Sequence, residues 1–247
     1  MGVAVGPTTE GFDELPDGID HIEIAVGEGE IPVAEFDPST VADRAADAGL
    51  DVIVHLPYRQ PLSTPIDRID DATLAYFDDV LQAAAHAGAT TAVAHPSARG
   101  AGHRSDRFAA RMAALADRGR DYGVTVCFET TGHAGGVGLS RLGELVERAD
   151  ASICLDVGYA YLEAGVDGIE ELVSAHGDRV GHLHVHDVRR RGDTHIPVGS
   201  GDVPLNEIGD HVVSVAPDAT VSVEVFTDDT ALLADSVART ERTILNA

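Results

Sequence analysis

The 247-residue sequence has no lysine, no tryptophan, only two cysteines and only 4% aromatic residues. Each shortage excludes something. All 17 basic residues are arginines set against 42 acidic ones, a formal net charge of -25. A charge of that sign argues against a polyanionic partner such as DNA. No run of basic residues with interleaved aromatics is present to track a phosphate backbone, and wedges for base stacking are scarce. The acidic, lysine-free, alanine- and valine-rich composition also reads as adaptation to a salty cytoplasm, where screening shortens electrostatic reach. The charge argument against DNA is correspondingly weak. Cys127 and Cys154 each sit in an apolar run (VTVCFE, ASICLD), which predicts buried free thiols and no disulfide. There is no cationic, apolar leader and no apolar run of membrane-spanning length, so a cytoplasmic protein with no membrane partner is expected.

What the sequence does have is alternation. Strand candidates fall at 3–6, 21–26, 51–56, 91–96, 124–129, 152–156, 181–186 and 220–226. Helical patterns lie between most of them, at 38–49, 70–88, 106–123, 139–149, 168–176 and 204–216, with a last one over 229–247. Three of these patterns run into Gly49, Gly88 and Gly123 just before the next strand, as a left-handed C-cap requires. Alternating strands and helices indicate a parallel sheet. Eight strands in a chain this long predict one closed (β/α)8 TIM barrel over residues 1–247, and no G-x-G-x-x-G follows the first strand to suggest a dinucleotide fold.

The stretch GHLHVHDVRRRGDTHIPVGSG (181–201) places His182, His184 and His186 at every second position. Side chains alternate across a strand, so the three imidazoles share the face that points at the barrel axis. Near the C-terminal ends of other strands stand His55, His95, Glu129, Asp156 and Glu224, with Asp193 and His195 in the loop after the seventh. Barrel active sites are built at that end. A ring of imidazoles and carboxylates there suits one or more divalent metals, because burying so many ionisable groups without a cation is costly. His182, one layer lower, is expected to be a hydrogen-bonded core histidine. His186 is expected at the rim, in solvent or against substrate.

Taken in order, HLPY (55–58), AVAHPS (92–97), FETTG (128–132), CLDVGYAYLEAG (154–165), HLHVHD (182–187), DTHIPVGSGDV (193–203) and VEVF (223–226) resemble the xylose isomerase-like TIM barrel superfamily. That group includes sugar and sugar-phosphate isomerases and epimerases, and endonuclease IV of AP endonuclease family 2. The resemblance implies that Glu129, Asp156, His184 and Glu224 hold a shared metal, His184 being the residue three before an aspartate. It implies that His55 and His95 join Glu129 at a second metal, as in the endonuclease IV branch. Asp193 and His195 match two ligands of that branch's third metal, but Tyr159 stands where its histidine partner is usual. Arg190 matches an arginine that binds substrate hydroxyls in some epimerases. Tyr159, Arg190 and His195 are therefore candidates for substrate binding.

Three functions follow as expectations. The first is an isomerase or epimerase of a sugar or sugar phosphate, with one to two zinc, manganese, cobalt or magnesium ions. There the metal would stabilise an enediolate while Glu129 and Glu224 remove and return the proton. The second is an endonuclease IV-like phosphodiesterase with a multinuclear zinc site and a nucleic-acid partner. The third is a non-catalytic barrel that keeps its metal for stability or for sensing a ligand.

Overall fold

β-Branched and apolar runs of four to six residues leave only a pleated conformation that can bury both faces, and such runs recur along the chain. The computed structural model describes residues 1–5, 15–27, 30–100 and 106–245. Seven strands come first: β1 (Gly2–Val5), β2 (His21–Ala25), β3 (Asp51–His55), β4 (Thr91–Ala94), β5 (Thr125–Glu129), β6 (Ser152–Asp156) and β7 (Val180–Val185). A short antiparallel hairpin, β8 (Asp187–Arg189) and β9 (Asp193–Ile196), precedes β10 (Thr220–Val223). β1 to β7 and β10 pair in parallel, and β10 closes the cylinder between β7 and β1. This is the expected (β/α)8 barrel. Of the first strand candidate, Gly6 lies outside the described residues.

Among the described residues seven α-helices pack outside the barrel: α1 (Pro38–Ala48), α2 (Asp67–His86), α3 (Asp106–Asp121), α4 (Leu139–Ala149), α5 (Val157–His176), α6 (Leu205–Val215) and α7 (Thr230–Thr240). No α-helix is described between β1 and β2. The helical pattern expected to reach 247 breaks into α7 and a wider turn over Glu241–Leu245, and its last two residues lie outside the described ones. Local chemistry sets several helix ends. The Asp37 carboxylate accepts the Ser39 and Thr40 N–H groups ahead of Pro38, and Asp229 does the same for Ala231 and Leu232. Gly49, Gly88 and Gly123 all take positive φ, as their position before a strand requires.

Two apolar shells result. Outward-facing strand residues such as Ile24, Val54, Phe128, Leu155 and Val185 pack against helix residues including Leu81, Phe108, Met112 and Leu142. Inside, Ile53, Val93, Cys127 and Cys154 form a small plug below the mouth. Both cysteines are free and buried, and burial, with the nearby Glu23 charge adding to it, pushes the Cys127 thiol up to about 12.

One buried ion pair ties α2 to α3. Asp70, fully buried, accepts the Thr64 N–H and hydroxyl at 2.7 and 2.8 Å and the Arg107 Nε and Nη2 groups at 3.1 and 2.7 Å. Burial acts to raise the Asp70 carboxyl, but the hydrogen bonds from Arg107 and Thr64 prevail and lower it. A depressed folded value means its contribution is fully present above the unfolded carboxylate pKa of about 3.9 and is lost as pH falls below that. The stability advantage of the native chain over Asp70→Asn, measured by urea unfolding, is therefore expected to shrink steadily as the pH drops below about 4. A pH-independent difference would contradict this account.

Candidate metal centre

Four strands deliver the expected set to one place. Glu129 ends β5, Asp156 ends β6, His184 lies in β7 and Glu224 follows β10. One ligand atom from each lies within 4.8 Å of the others. His184 Nδ1 stands 3.3 Å from Glu129 Oε1 and 3.3 Å from Glu224 Oε2. Asp156 and His184 are direct neighbours in the β6–β7 register.

Whether these residues suit a cation can be judged from the hydrogen bonds around them. His184 Nε2 lies 2.9 Å from Glu23 Oε1, a buried carboxylate. With the Nε2–H donated to Glu23, a neutral ring turns its Nδ1 lone pair towards Glu129 and Glu224, acceptor against acceptor. Glu224 Oε2 is itself buried and satisfied by no hydrogen bond. Positive charge at that point, a proton on Nδ1 or a cation between the groups, relieves the repulsion, and imidazole nitrogen with carboxylate oxygens is a suitable donor set for a divalent metal. The residues fit the group.

A second cluster sits beside the first. His95 Nε2 is 2.7 Å and His55 Nε2 3.4 Å from Glu129 Oε2. His55 donates Nδ1–H to the Leu56 carbonyl at 2.9 Å, which again leaves Nε2 facing a carboxylate. Burial acts to raise the Glu129 carboxyl. The histidines around it, His95 first and then His184 and His55, outweigh it and hold the group well below the usual carboxylate range.

A third grouping brings Asp156, His186, His195 and Glu224 together. His186 is fully buried, not at the rim. His186 Nε2 donates to Asp156 at 3.1 Å, since a carboxylate only accepts, while Nδ1 lies 3.1 Å from the His195 backbone nitrogen and 3.2 Å from the Asp187 carbonyl. Asp156 is also the N-cap of α5, taking the Tyr159 N–H at 2.7 Å. Gly158 makes the approach possible: a Cβ there would stand 2.2 Å from His186 Cε1. His195 holds a positive φ of 53°, and its ring stacks between His186 and Phe226 at 4.1 and 4.2 Å while Nε2 lies 3.4 Å from Glu224.

The other expected residues are placed differently. Asp193 joins none of these clusters. Arg189 and Arg191 donate to its Oδ2 at 3.0 and 2.8 Å, so its charge is spent in the β8–β9 hairpin. Arg190 lies over the Tyr161 ring and donates to its hydroxyl at 3.2 Å. Tyr159 is half-buried, edge-on to His186 and His195, and burial next to Asp156 raises its phenol, which stays neutral. His182 is the expected core histidine, fully buried and bonded to Glu23 and Thr220. The sequence reading missed Glu23 and the bond from His186 to Asp156. The signal for Glu23 was present: a lone carboxylate on the inward face of β2, between Ile22 and Ile24, must find a partner.

A barrel with this ligand ring can be compared with known proteins. The model of the xylose isomerase-like TIM barrel family matches residues 17–245. The chain belongs to that family. A protein of unassigned function from Methanocaldococcus jannaschii, MJ1311, is 22% identical over 189 residues, 71% of this chain and 64% of that relative's length. The chain thus spans somewhat less than two thirds of that relative. Among solved structures, a D-psicose 3-epimerase crystallised in the presence of D-fructose matches with a TM-score of 0.80 at 17% identity, covering 99% of each chain. The IolI protein with a bound zinc atom matches at 0.76 and 15% identity, over 100% of this chain and 97% of the other. A D-psicose 3-epimerase with D-tagatose, from Clostridium cellulolyticum H10, matches at 0.77 and 18%, over 92% and 90%. At these identities the likeness establishes the fold of the family member, not its substrate.

Proposed function

We propose that the protein is a divalent-metal-dependent isomerase or epimerase of a sugar or sugar phosphate, working by proton transfer. The observation that carries this is the orphaned Glu224 Oε2 facing the free nitrogen of His184, with Glu129 on that nitrogen's other side. Glu129, Asp156, His184 and Glu224 would hold the metal. When bound, it would polarise a carbonyl and its neighbouring hydroxyl and stabilise negative charge as it develops. The protein's own groups do the rest. Glu224 is the more accessible carboxylate, its side chain 16% exposed against 3% for Glu129, and it suits removal of the carbon-bound proton. Glu129 is held ionised within its histidine cage, so it would deliver a proton to the opposite face by relaying one from an adjacent imidazole N–H. His195, stacked on the exposed Phe226, would present its ring edge to a substrate hydroxyl, and Tyr159 would close the same wall. The D-fructose and D-tagatose present with the two D-psicose 3-epimerases of like fold support this choice.

A phosphodiesterase of the endonuclease IV kind is the second reading, and the His55–His95–Glu129 cluster favours it because two cations suit in-line displacement at phosphorus. Against it, Asp193 is occupied by Arg189 and Arg191, and Tyr159 offers only a neutral phenol, so the residues for a third cation are not assembled. The purified protein is expected to bind one exchangeable divalent ion and to interconvert at least one member of a sugar and sugar-phosphate panel. Two or three tightly held zinc ions, with nicking of an abasic oligonucleotide, would instead establish the nuclease. A protein that binds metal, gains stability from it and turns over neither substrate class would be the non-catalytic barrel.

A further inference from the structure

Glu23 has no part in the chemistry proposed above, yet it is one of the most deeply buried charges in the barrel, 2% exposed. It lies on the inner face of β2, next to Ala4 in β1 and Ile53 in β3 in the register, so strand residues wall it off from solvent. Its two oxygens are divided between two histidines from across the barrel. Oε1 lies 2.9 Å from His184 Nε2 and Oε2 lies 3.1 Å from His182 Nε2. On the far side of His182, Nδ1 lies 2.6 Å from the Thr220 hydroxyl.

An ionised carboxylate can only accept hydrogen bonds. Each imidazole must therefore point an N–H at Glu23, which for His184 puts the proton on Nε2. The other nitrogen, Nδ1, is the one that stands 3.3 Å from Glu129 and from Glu224. We infer that Glu23 is a positioning residue of the metal centre: it fixes the His184 tautomer and ring orientation so that Nδ1 is the ligand atom, and it makes that nitrogen a stronger donor. His182 is the second anchor, holding the carboxylate so that it cannot swing away from His184. The inference rests on the proposed metal site and adds to it a carboxylate that never touches the ion.

The physical reason for such an arrangement is general. A ligating imidazole with a free N–H rotates and tautomerises, whereas one bonded to a carboxylate is held, and loss of the outer partner lowers metal affinity by roughly 10–100-fold. The location supports the assignment. Glu23 reaches His184 from the side opposite Glu129 and Glu224, and its own oxygens are used up by two histidines.

The test uses the full chain and zinc. Zinc affinity, measured by competition with a chelator, is expected to fall roughly 10–100-fold in Glu23→Ala. Glu23→Gln, whose single carbonyl oxygen can serve one imidazole, should fall between the two. Side-chain nitrogen NMR of the zinc-loaded native chain should show His184 protonated at Nε2 and coordinated through Nδ1. Circular dichroism checks that each variant is folded, and if Glu23→Ala fails to fold, the Gln variant and the NMR spectrum carry the test. Equal zinc affinity in the native chain and both folded variants, or a His184 proton on Nδ1, overturns the inference alone. A native chain that binds no zinc overturns it together with the metal site itself, and the two failures are therefore distinguishable.

Discussion

Glu129→Gln is expected to remove both turnover and the stabilisation that metal confers on the native chain. Glu129 belongs to two of the ligand clusters, one oxygen facing His184 and the other facing His55 and His95. An amide of the same size supplies one neutral oxygen in place of two charged ones, and its NH2 group cannot ligate a cation. A ligand at about 1,000 times its dissociation constant stabilises a fold by about 4 kcal/mol. For a chain of this size that is a rise of roughly 8–16 °C in melting temperature on adding metal. The native chain should show such a rise and Glu129→Gln should lose most of it. Turnover should fall by roughly 10²–10⁴-fold or more, the range for losing a positioned proton-transfer group, with metal loss added. Glu224→Gln is the informative contrast. It loses turnover to a similar extent, but Glu129, Asp156 and His184 still offer three ligands, so more of the metal-induced stabilisation should remain. Scanning calorimetry with and without metal, beside assays on the sugar panel, checks both. An unchanged metal response in Glu129→Gln would remove Glu129 from the site, and full turnover in a metal-loaded Glu224→Gln would end the proton-transfer mechanism.

How far the site could be foreseen depended on whether the deciding force was local. Strand periodicity and Gly-terminated helices are local, and the eight strands and the facing of His182 and His184 followed from them. The gathering of Glu129, Asp156, His184 and Glu224 needed only the rule that parallel barrels expose strand C-terminal ends on one rim. Three features were less legible because their causes lie across the fold. α5 begins at Val157, directly after Asp156, yet its helical period was recognisable only from Gly168 onward. Gly165, at φ 68° and ψ -166°, breaks the helix midway and hides its first half. Asp193 reads as a ligand by position, but Arg189 and Arg191 lie within reach, and charge pairing inside a tight hairpin outcompetes a distant cation. His186 faces inward like its neighbours, but its burial depends on Gly158 having no side chain, and that contact is 28 residues distant in sequence and invisible to any periodicity.

Asp187→Ala is expected to cost more stability than any single change to the ligands, although Asp187 touches none of them. Its carboxylate is 1% exposed and takes four backbone N–H groups: Val188 and Val203 on Oδ1 at 2.9 and 3.1 Å, Gly199 and Gly201 on Oδ2 at 2.9 and 2.8 Å. Those donors come from the hairpin and from the loop that follows β9, so one side chain pins both to the barrel top. Each buried donor left unpaired costs about 1–3 kcal/mol, and even with water recovering part of this a net loss of about 3 kcal/mol or more is expected. That is a fall of roughly 6–12 °C in the melting temperature of the metal-free protein. Hydrogen exchange should locate the damage, with the Gly199 and Gly201 amides losing protection while β5 and β6 keep theirs. Unchanged melting and protected loop amides would refute the account. The consequence reaches the chemistry through His195, whose strained backbone is worth about 1–3 kcal/mol and persists only while the loop around it is held. Once released, His195 should leave Glu224 and Phe226, and its N–H should leave His186, which would free Asp156 in turn. This gives a physical reason for an aspartate three residues after His184: the strand carries the ligand to the rim, and the chain must be anchored as soon as it leaves the sheet.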